Sequence, residues 1–323
     1  MKVLVTGATG LMGRAAARQL LDRGDEVTVL QRHPAGLPCR EVLADIADPA
    51  AVARAFRGQD AVLHLAAKVD AYGRWPDYQR VNVDGTRTVI DGCRTAGVPR
   101  LVNVSSPSVA HAGRPLVGAG AEPPDPATAG SAYSRSKAIA EKLATAADSA
   151  DLAVLTIRPH LVWGPGDTQL IAPVVQRARA GRLPLIGTGA ALIDTTYLDN
   201  AAAALVAAVD ACGRVHGEAL VVSNGEPRPV GELLRRICAA AGVPPPRRRV
   251  PLPVASAAGR LVETAWAALR LDGDPPLTPF LAEQLGTAHW FDQRRTRDVL
   301  GWEPTVSLEQ GFDRLAEWYR GAG

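Results

Sequence analysis

Three glycines spaced three apart, in Gly7-Ala8-Thr9-Gly10-Leu11-Met12-Gly13, follow directly on the apolar run Val3-Leu4-Val5-Thr6. They open a segment, residues 11–23, with helical periodicity. A strand that passes through a glycine turn into a helix gathers free backbone N–H groups and the positive end of a helix dipole at one point. Glycine suits such a turn because the chain bends tightly and a pyrophosphate must come close to the backbone. The pattern predicts a dinucleotide site built on Gly7, Gly10 and Gly13. A purely structural turn is the bland alternative.

The rhythm continues downstream. Short β-branched or apolar runs at residues 27–30, 61–65, 101–104 and 153–157 alternate with Ala-, Arg- and Leu-rich stretches such as 49–56 and 83–96. Nearly all-apolar strands between helices belong to a parallel sheet buried on both faces. Residues 1–165 are therefore expected to form a doubly wound α/β (Rossmann) core, with some strands and helices added from later segments. After Pro165 the spacing loosens. Proline-rich stretches at 244–246, 251–253 and 275–276 predict short helices and a smaller, irregular substrate-binding region over 166–323, with a final amphipathic helix at 308–319 packing on the core.

Composition narrows the function. Lys+Arg exceed Asp+Glu by 36 − 33 = 3 in 323 residues, too little to imply a nucleic-acid partner. The hydrophobic share of 47% excludes wholesale disorder. Cys39, Cys93, Cys212 and Cys238 are scattered with no CxxC pair, so neither a zinc site nor a disulfide framework is expected, and a reducing cytoplasm fits. His33, His64, His111, His160, His216 and His289 have no ligand spacing, and no metal is expected. No leader is expected from Met1-Lys2-Val3, and no run of about 18 apolar residues occurs, so no spanning helix is expected.

At the end of the second strand, Leu30-Gln31-Arg32-His33 lacks the carboxylate that would hold a ribose 2′-hydroxyl, while Arg32 can pair with a 2′-phosphate. This favours NADP(H) over NAD. Asp45-Ile46 would sit at the adenine edge, and Asp48, before Pro49, reads as a helix cap. In Tyr133-Ser134-Arg135-Ser136-Lys137 a phenol and an ammonium share one helix face. A nearby cation would lower the phenol pKa and let it exchange a proton with an alcohol or ketone. Ser105-Ser106-Pro107-Ser108 follows a strand, where such sheets carry their sites.

Further segments carry a family likeness: Leu65-Ala66-Ala67, Asn82-Val83-Asp84-Gly85-Thr86, and Arg158-Pro159 leading to Trp163-Gly164-Pro165-Gly166-Asp167. The chain resembles an extended short-chain dehydrogenase/reductase nearly end to end, and within it the 3β-hydroxysteroid dehydrogenase-like branch. It is most similar there to the 2-alkyl-3-oxoalkanoate reductases of bacterial long-chain olefin and β-lactone biosynthesis. That likeness rests on Ala66-Ala67-Lys68, Ser106-Pro107-Ser108-Val109, Asp194-Thr195-Thr196-Tyr197, Asn224-Gly225-Glu226-Pro227, Pro275-Pro276-Leu277-Thr278, residues 280–285 and His289-Trp290.

The resemblance implies an NADPH-dependent ketoreductase acting on a long-chain β-keto acid. A steroid or sterol dehydrogenase is the alternative, a sugar-nucleotide epimerase a remoter one, and a catalytically dead dinucleotide sensor the reading from another class. By resemblance, Ser106 is the catalytic hydroxyl, with Ser105 assisting or bonding only backbone. Tyr133 is the general acid, and Lys137 holds the nicotinamide ribose and lowers the Tyr133 pKa. The implied cofactor residues are Gly7, Thr9, Gly10, Leu11, Met12, Gly13, Arg32, Asp45, Ile46, Leu65, Ala66, Ala67, Lys68, Asn82 and Pro159, with Tyr133 and Lys137. The substrate is long-chain acyl or steroid-like, with room for a homodimer and for peripheral contact with a membrane or pathway enzyme.

Other features read more plainly. His64 is expected to be a core or cofactor-lining histidine. Arg247-Arg248-Arg249 is expected on a solvated turn. Trp163, Tyr197, Trp266 and Trp290 divide evenly between a substrate channel and ordinary packing. Asp199-Asn200 resemble a helix N-cap. Residues 254–271 form an amphipathic stretch whose apolar stripe either packs on the substrate region or caps an acyl channel, there touching a membrane or a pathway partner.

Overall fold

Each apolar run becomes a strand of one parallel sheet: β1 (Lys2–Thr6), β2 (Glu26–Gln31), β3 (Arg40–Leu43), β4 (Ala61–His64), β5 (Arg100–Val104), β6 (Ala153–Pro159) and β7 (Ala219–Val222). Their spatial order is β7-β6-β5-β4-β1-β2-β3. The computed structural model describes residues 1–70, 72–110, 114–269, 271, 273 and 275–321; His111 and Arg270 lie outside the described residues. Because β1 lies between β2 and β4, the strand order switches direction beside it, which opens a crevice at the carboxyl ends of these strands.

Helices cover both faces. On one side α1 (Leu11–Asp22) and the later helix α5 (Leu198–Ala211) pack Ala16, Ala17, Leu20, Leu205 and Val209 against Val3, Val5 and Val29. On the other, α2 (Pro49–Phe56), α3 (Gly85–Ala96) and α4 (Ala132–Ala146) set Val52, Phe56, Val89, Ile90 and Ala144 against Leu4, Leu30 and Val62. This is the doubly wound arrangement. Asp48 caps α2 as expected, accepting from the N–H groups of Ala50 and Ala51.

The region after residue 165 contributes to the core as well as to short helices. The 14-residue α5 and β7 supply a further helix–strand unit to the main sheet. Asp199-Asn200 do not cap that helix. It begins at Leu198 with Tyr197 at the cap position, Asp199 pairs with Arg314 (2.8 Å), and Asn200 is buried, clamping Thr305 and Val306. Trp163 and Tyr197 are core, not channel lining: Trp163 is 2% exposed, stacks on Phe312 at 4.6 Å and donates to Thr195 Oγ1. Phe312 belongs to the closing amphipathic helix, Leu308–Gly321. Among the described residues no helix is long and apolar enough to cross a membrane.

Candidate active site

The glycine turn meets the end of β4 across the crevice. Gly7 has φ +77°, and a Cβ there would lie 2.8 Å from the Ala66 nitrogen. Thr6 Oγ1 accepts from the N–H groups of Leu65 (3.1 Å) and Ala66 (3.0 Å), holding the segment that leads to Ala67 and Lys68 beside the turn. Gly10 differs. Its φ is −75°, and a Cβ would come no nearer than 3.4 Å to the rest of the chain. Nothing in the protein requires glycine there, so the open space above it suits an approaching pyrophosphate. Gly10 also caps α1 without a side-chain hydrogen bond, beside exposed Thr9 and half-buried Leu11 and Met12.

Gln31, at the tip of β2, is 4% exposed, and neither atom of its carboxamide has a partner in the protein. An orphaned buried amide beside the glycine turn fits a ribose hydroxyl or phosphate oxygen. Arg32 next to it is exposed. Asp45 pairs with Arg80 at 2.9 Å. Partial burial acts against its charge, but the Ala47 N–H, Arg80 and Arg32 outweigh it and hold the carboxyl below its usual range. The Ile46 side chain is buried, with Gly85 of α3 leaving room for it, so this residue packs the core more than it presents itself to an adenine.

His64 is a core histidine. Its Nδ1 lies 2.8 Å from Thr6 Oγ1 and its Nε2 3.1 Å from Thr86 Oγ1. Thr86 gives its own proton to the Asn82 carbonyl (2.6 Å), which assigns the proton of the ring to Nε2. Burial, and then the Lys137 charge, push its pKa down to about 3, so it stays neutral.

Asn82 joins the two halves of the site. It lies in a π-helical stretch, Gln79–Asp84, that runs into α3. Its Oδ1 accepts from the Lys68 N–H (2.7 Å), and its Nδ2 donates to the Lys68 carbonyl (3.0 Å) and to Ser136 Oγ (2.8 Å). Ser136 in turn bonds the Tyr133 carbonyl (2.7 Å). The β4 loop is thereby tied to the helix that carries Tyr133 and Lys137. The Lys68 ammonium itself pairs with Asp70 and lies 5.3 Å from the centroid of the Tyr78 ring.

Tyr133 is half-buried and close to Ser106, whose Oγ is 3.0 Å from Ser108 Oγ. Burial raises the phenol pKa and the neighbouring Ser106 hydroxyl opposes it. The expectation that Lys137 lowers it is corrected: the Lys137 Nζ donates to the Val104 carbonyl (2.6 Å), and burial holds its own pKa down at about 8, with Glu141 pulling upward. Ser105 is buried, with its Oγ unpartnered, so it does not bond backbone through its side chain. Pro159 closes β6 beside this group.

Glu141 was not foreseen. It forms a fully buried ion pair with Arg158, Nε to Oε2 3.0 Å, and lies four residues beyond Lys137 on the same helix face. The spacing Tyr133, Lys137, Glu141 was the available signal. Among the described residues no group of three His, Cys, Asp or Glu side chains could hold a metal ion.

Comparison with known proteins adds to this geometry. Residues 3–223 match the model of the NAD dependent epimerase/dehydratase family. The 2-alkyl-3-oxoalkanoate reductase of Stenotrophomonas maltophilia is 44% identical over 98% of each chain. The 3-beta-hydroxysteroid dehydrogenase of Mycolicibacterium neoaurum is 30% identical over 98% of this chain and 91% of its own. A structure of MoeE5 in complex with UDP-glucose and NAD superposes with a TM-score of 0.76 at 26% identity, covering 100% and 99% of the two chains.

Proposed function

Since the chain belongs to the NAD-dependent epimerase/dehydratase family and is an NAD(P)-dependent oxidoreductase of the extended short-chain type, we propose that it reduces the 3-keto group of a 2-alkyl-3-oxoalkanoate to the 3-hydroxy acid, using NADPH. The observation that carries the chemistry is the placement of Ser106, just past the end of β5, beside Tyr133, with Lys137 one turn along the helix. The end-to-end similarity to the Stenotrophomonas reductase selects the substrate class.

When bound, a reduced nicotinamide cofactor would supply the hydride. The turn at Gly7, Gly10 and Gly13 and the open end of α1 would hold its pyrophosphate. Gln31 and Arg32 would hold the adenosine ribose, with Arg32 pairing with a 2′-phosphate. Ser106 donates to the substrate carbonyl and so orients it. Tyr133, with its proton held by burial, delivers that proton to the oxygen as negative charge develops. The Lys137 ammonium is a cation at pH 7 and would bond the ribose hydroxyls. Neutral His64 and the Asn82 bridge keep the cofactor loop in place without adding charge.

A hydroxysteroid substrate is the second reading, favoured by the Mycolicibacterium relative. Loss of NADPH absorbance, measured with a 2-alkyl-3-ketoacid and with a panel of 3-ketosteroids, separates the two. Turnover of the ketoacid is expected. Turnover of steroids alone would replace the proposal.

A further inference from the structure

Helix α6 (Leu252–Leu269) turns an apolar face to solvent. Leu261 is 74% exposed, Leu269 69% and Val254 56%. Pro253, Ala257, Ala265 and Ala268 are exposed as well, and Ala258 half-exposed. At 100° per residue these positions and Thr264 fall within one arc of about 160°. That arc holds no charged residue, and Thr264 satisfies its hydroxyl on the Arg260 carbonyl (2.8 Å). The sequence left this stripe divided between a buried face and a channel cap that could touch a membrane or a pathway partner. The structure does not bury it.

The opposite side of α6 is fully engaged. Ala255 and Gly259 are buried, and a Cβ on Gly259 would lie 2.7 Å from the Pro279 nitrogen, so α6 presses backbone to backbone on α7 (Pro279–Gly286). Phe280 of α7 lies 3.5 Å from where a Cβ on Gly130 would stand, two residues before α4 and three before Tyr133. Through Phe280, α7 thus touches the segment that leads into the helix carrying Tyr133, and the free face of α6 lies on the side of α6 away from α7.

Its surroundings are basic. Arg247, Arg248 and Arg249 are exposed just before the helix, and Arg260 stands at one edge of the apolar arc. Among the described residues none of the four forms an ion pair. The helix has 18 residues and so is about 27 Å long; a face about 10 Å wide amounts to roughly 270 Å². A stable protein interface needs about 800 Å² from each partner. A lipid surface needs no such area and no matching shape, only apolar side chains to receive and cations for its headgroups. The helix is not apolar enough to cross a bilayer, so it would lie in the plane of the interface.

We propose that the exposed face of α6 docks the protein on an anionic lipid surface, with Val254, Leu261 and Leu269 entering the headgroup boundary and Arg247–Arg249 meeting lipid phosphates. Such docking brings the α6–α7 side of the protein, which touches the segment before Tyr133, to the phase in which a long-chain ketoacid dissolves. This purpose, though not the docking, rests on the function proposed above.

Flotation of the full-length protein with vesicles tests it. Vesicles of phosphatidylcholine mixed with phosphatidylglycerol should carry the protein upward, and phosphatidylcholine alone should carry far less. The double variant Leu261→Glu/Leu269→Glu should lose at least tenfold in partitioning. The triple variant Arg247→Gln/Arg248→Gln/Arg249→Gln should lose about fivefold for each arginine that reaches the surface, and should lose its sensitivity to salt. Both variants alter exposed side chains and should keep the wild-type melting temperature and the wild-type rate on a short, water-soluble ketoacid. Absence of vesicle binding, or binding unchanged in Leu261→Glu/Leu269→Glu, overturns the proposal. So does a dimer by light scattering that this variant splits, since the face then serves a second copy. Vesicle binding without ketoacid turnover would remove the proposed function and leave the docking standing.

Discussion

Glu141 lies one helical turn beyond Lys137 on α4 and raises the pKa of its ammonium against a burial that draws it down to about 8. The same carboxylate is held by Arg158, with both side chains 1% exposed. The charge of Lys137 is therefore set first by burial and then by a carboxylate that is itself held in a buried ion pair. Because Lys137 is a cation below about pH 8 and neutral above it, kcat/KM for reduction should fall as pH rises through that value. Glu141→Gln removes the upward pull and should move this limb to lower pH. It also leaves the Arg158 guanidinium buried without its counterion, which should cost about 3 kcal/mol in urea unfolding. A limb that stays in place in this variant would separate Glu141 from Lys137.

Tyr133→Phe deletes only the transferable proton. Cofactor affinity, followed by nicotinamide fluorescence, should be unchanged while turnover drops about 10²–10⁴-fold. A loss below tenfold would remove Tyr133 from the role of acid. Ser106→Ala should lower turnover while leaving cofactor affinity alone, because its hydroxyl orients substrate.

Gly10 and Gly7 should fail differently when changed to alanine. At Gly10 the backbone is ordinary and a methyl group has room, so Gly10→Ala should melt near the wild-type temperature yet bind dinucleotide at least tenfold more weakly. At Gly7 the left-handed φ and the approach to Ala66 make the same change a folding defect, of about 1–3 kcal/mol. Equal loss of stability in both variants would contradict the cradle assigned to Gly10.

NADPH should bind better than NADH by roughly 1.5–3 kcal/mol, and Arg32→Ala should erase most of that difference. Gln31→Asp places a carboxylate where the orphaned amide stands and should turn the preference toward NADH. Competition with 2′-phospho-ADP-ribose reads both effects. Equal affinity of the wild type for the two cofactors would refute the role of Arg32.

What could be read from the chain was what local spacing encodes. The strand–turn–helix at Gly7, the apolar runs of the sheet, the Asp48 cap and the tyrosine–lysine pair all lie within a few residues of their partners. What escaped depends on contacts across the fold. Asp199 and Asn200 have the chemistry of a cap, but Arg314 and the 305–306 segment claim their side chains first. Trp163 and Tyr197 become core because a helix more than a hundred residues away lays Phe312 on Trp163 and Gly311 against Tyr197. The same limit hid the link between Asn82 and Ser136, 54 residues apart. The α6 stripe has the periodicity of a buried face, and only the tight approach of Gly259 to α7 fixes which side turns outward.

The last strand of the sheet carries a consequence for synthesis. β7 pairs with β6 only after residue 222 has been made, and α5 closes the face over Val3, Val5 and Val29 only after residue 211. Until then a nascent chain holding all of β1 to β6 presents an open β-edge and an uncovered apolar face. Ribosome-bound chains halted near residue 165 should accordingly recruit chaperones, and those halted beyond residue 222, with the strand clear of the exit tunnel, should release them.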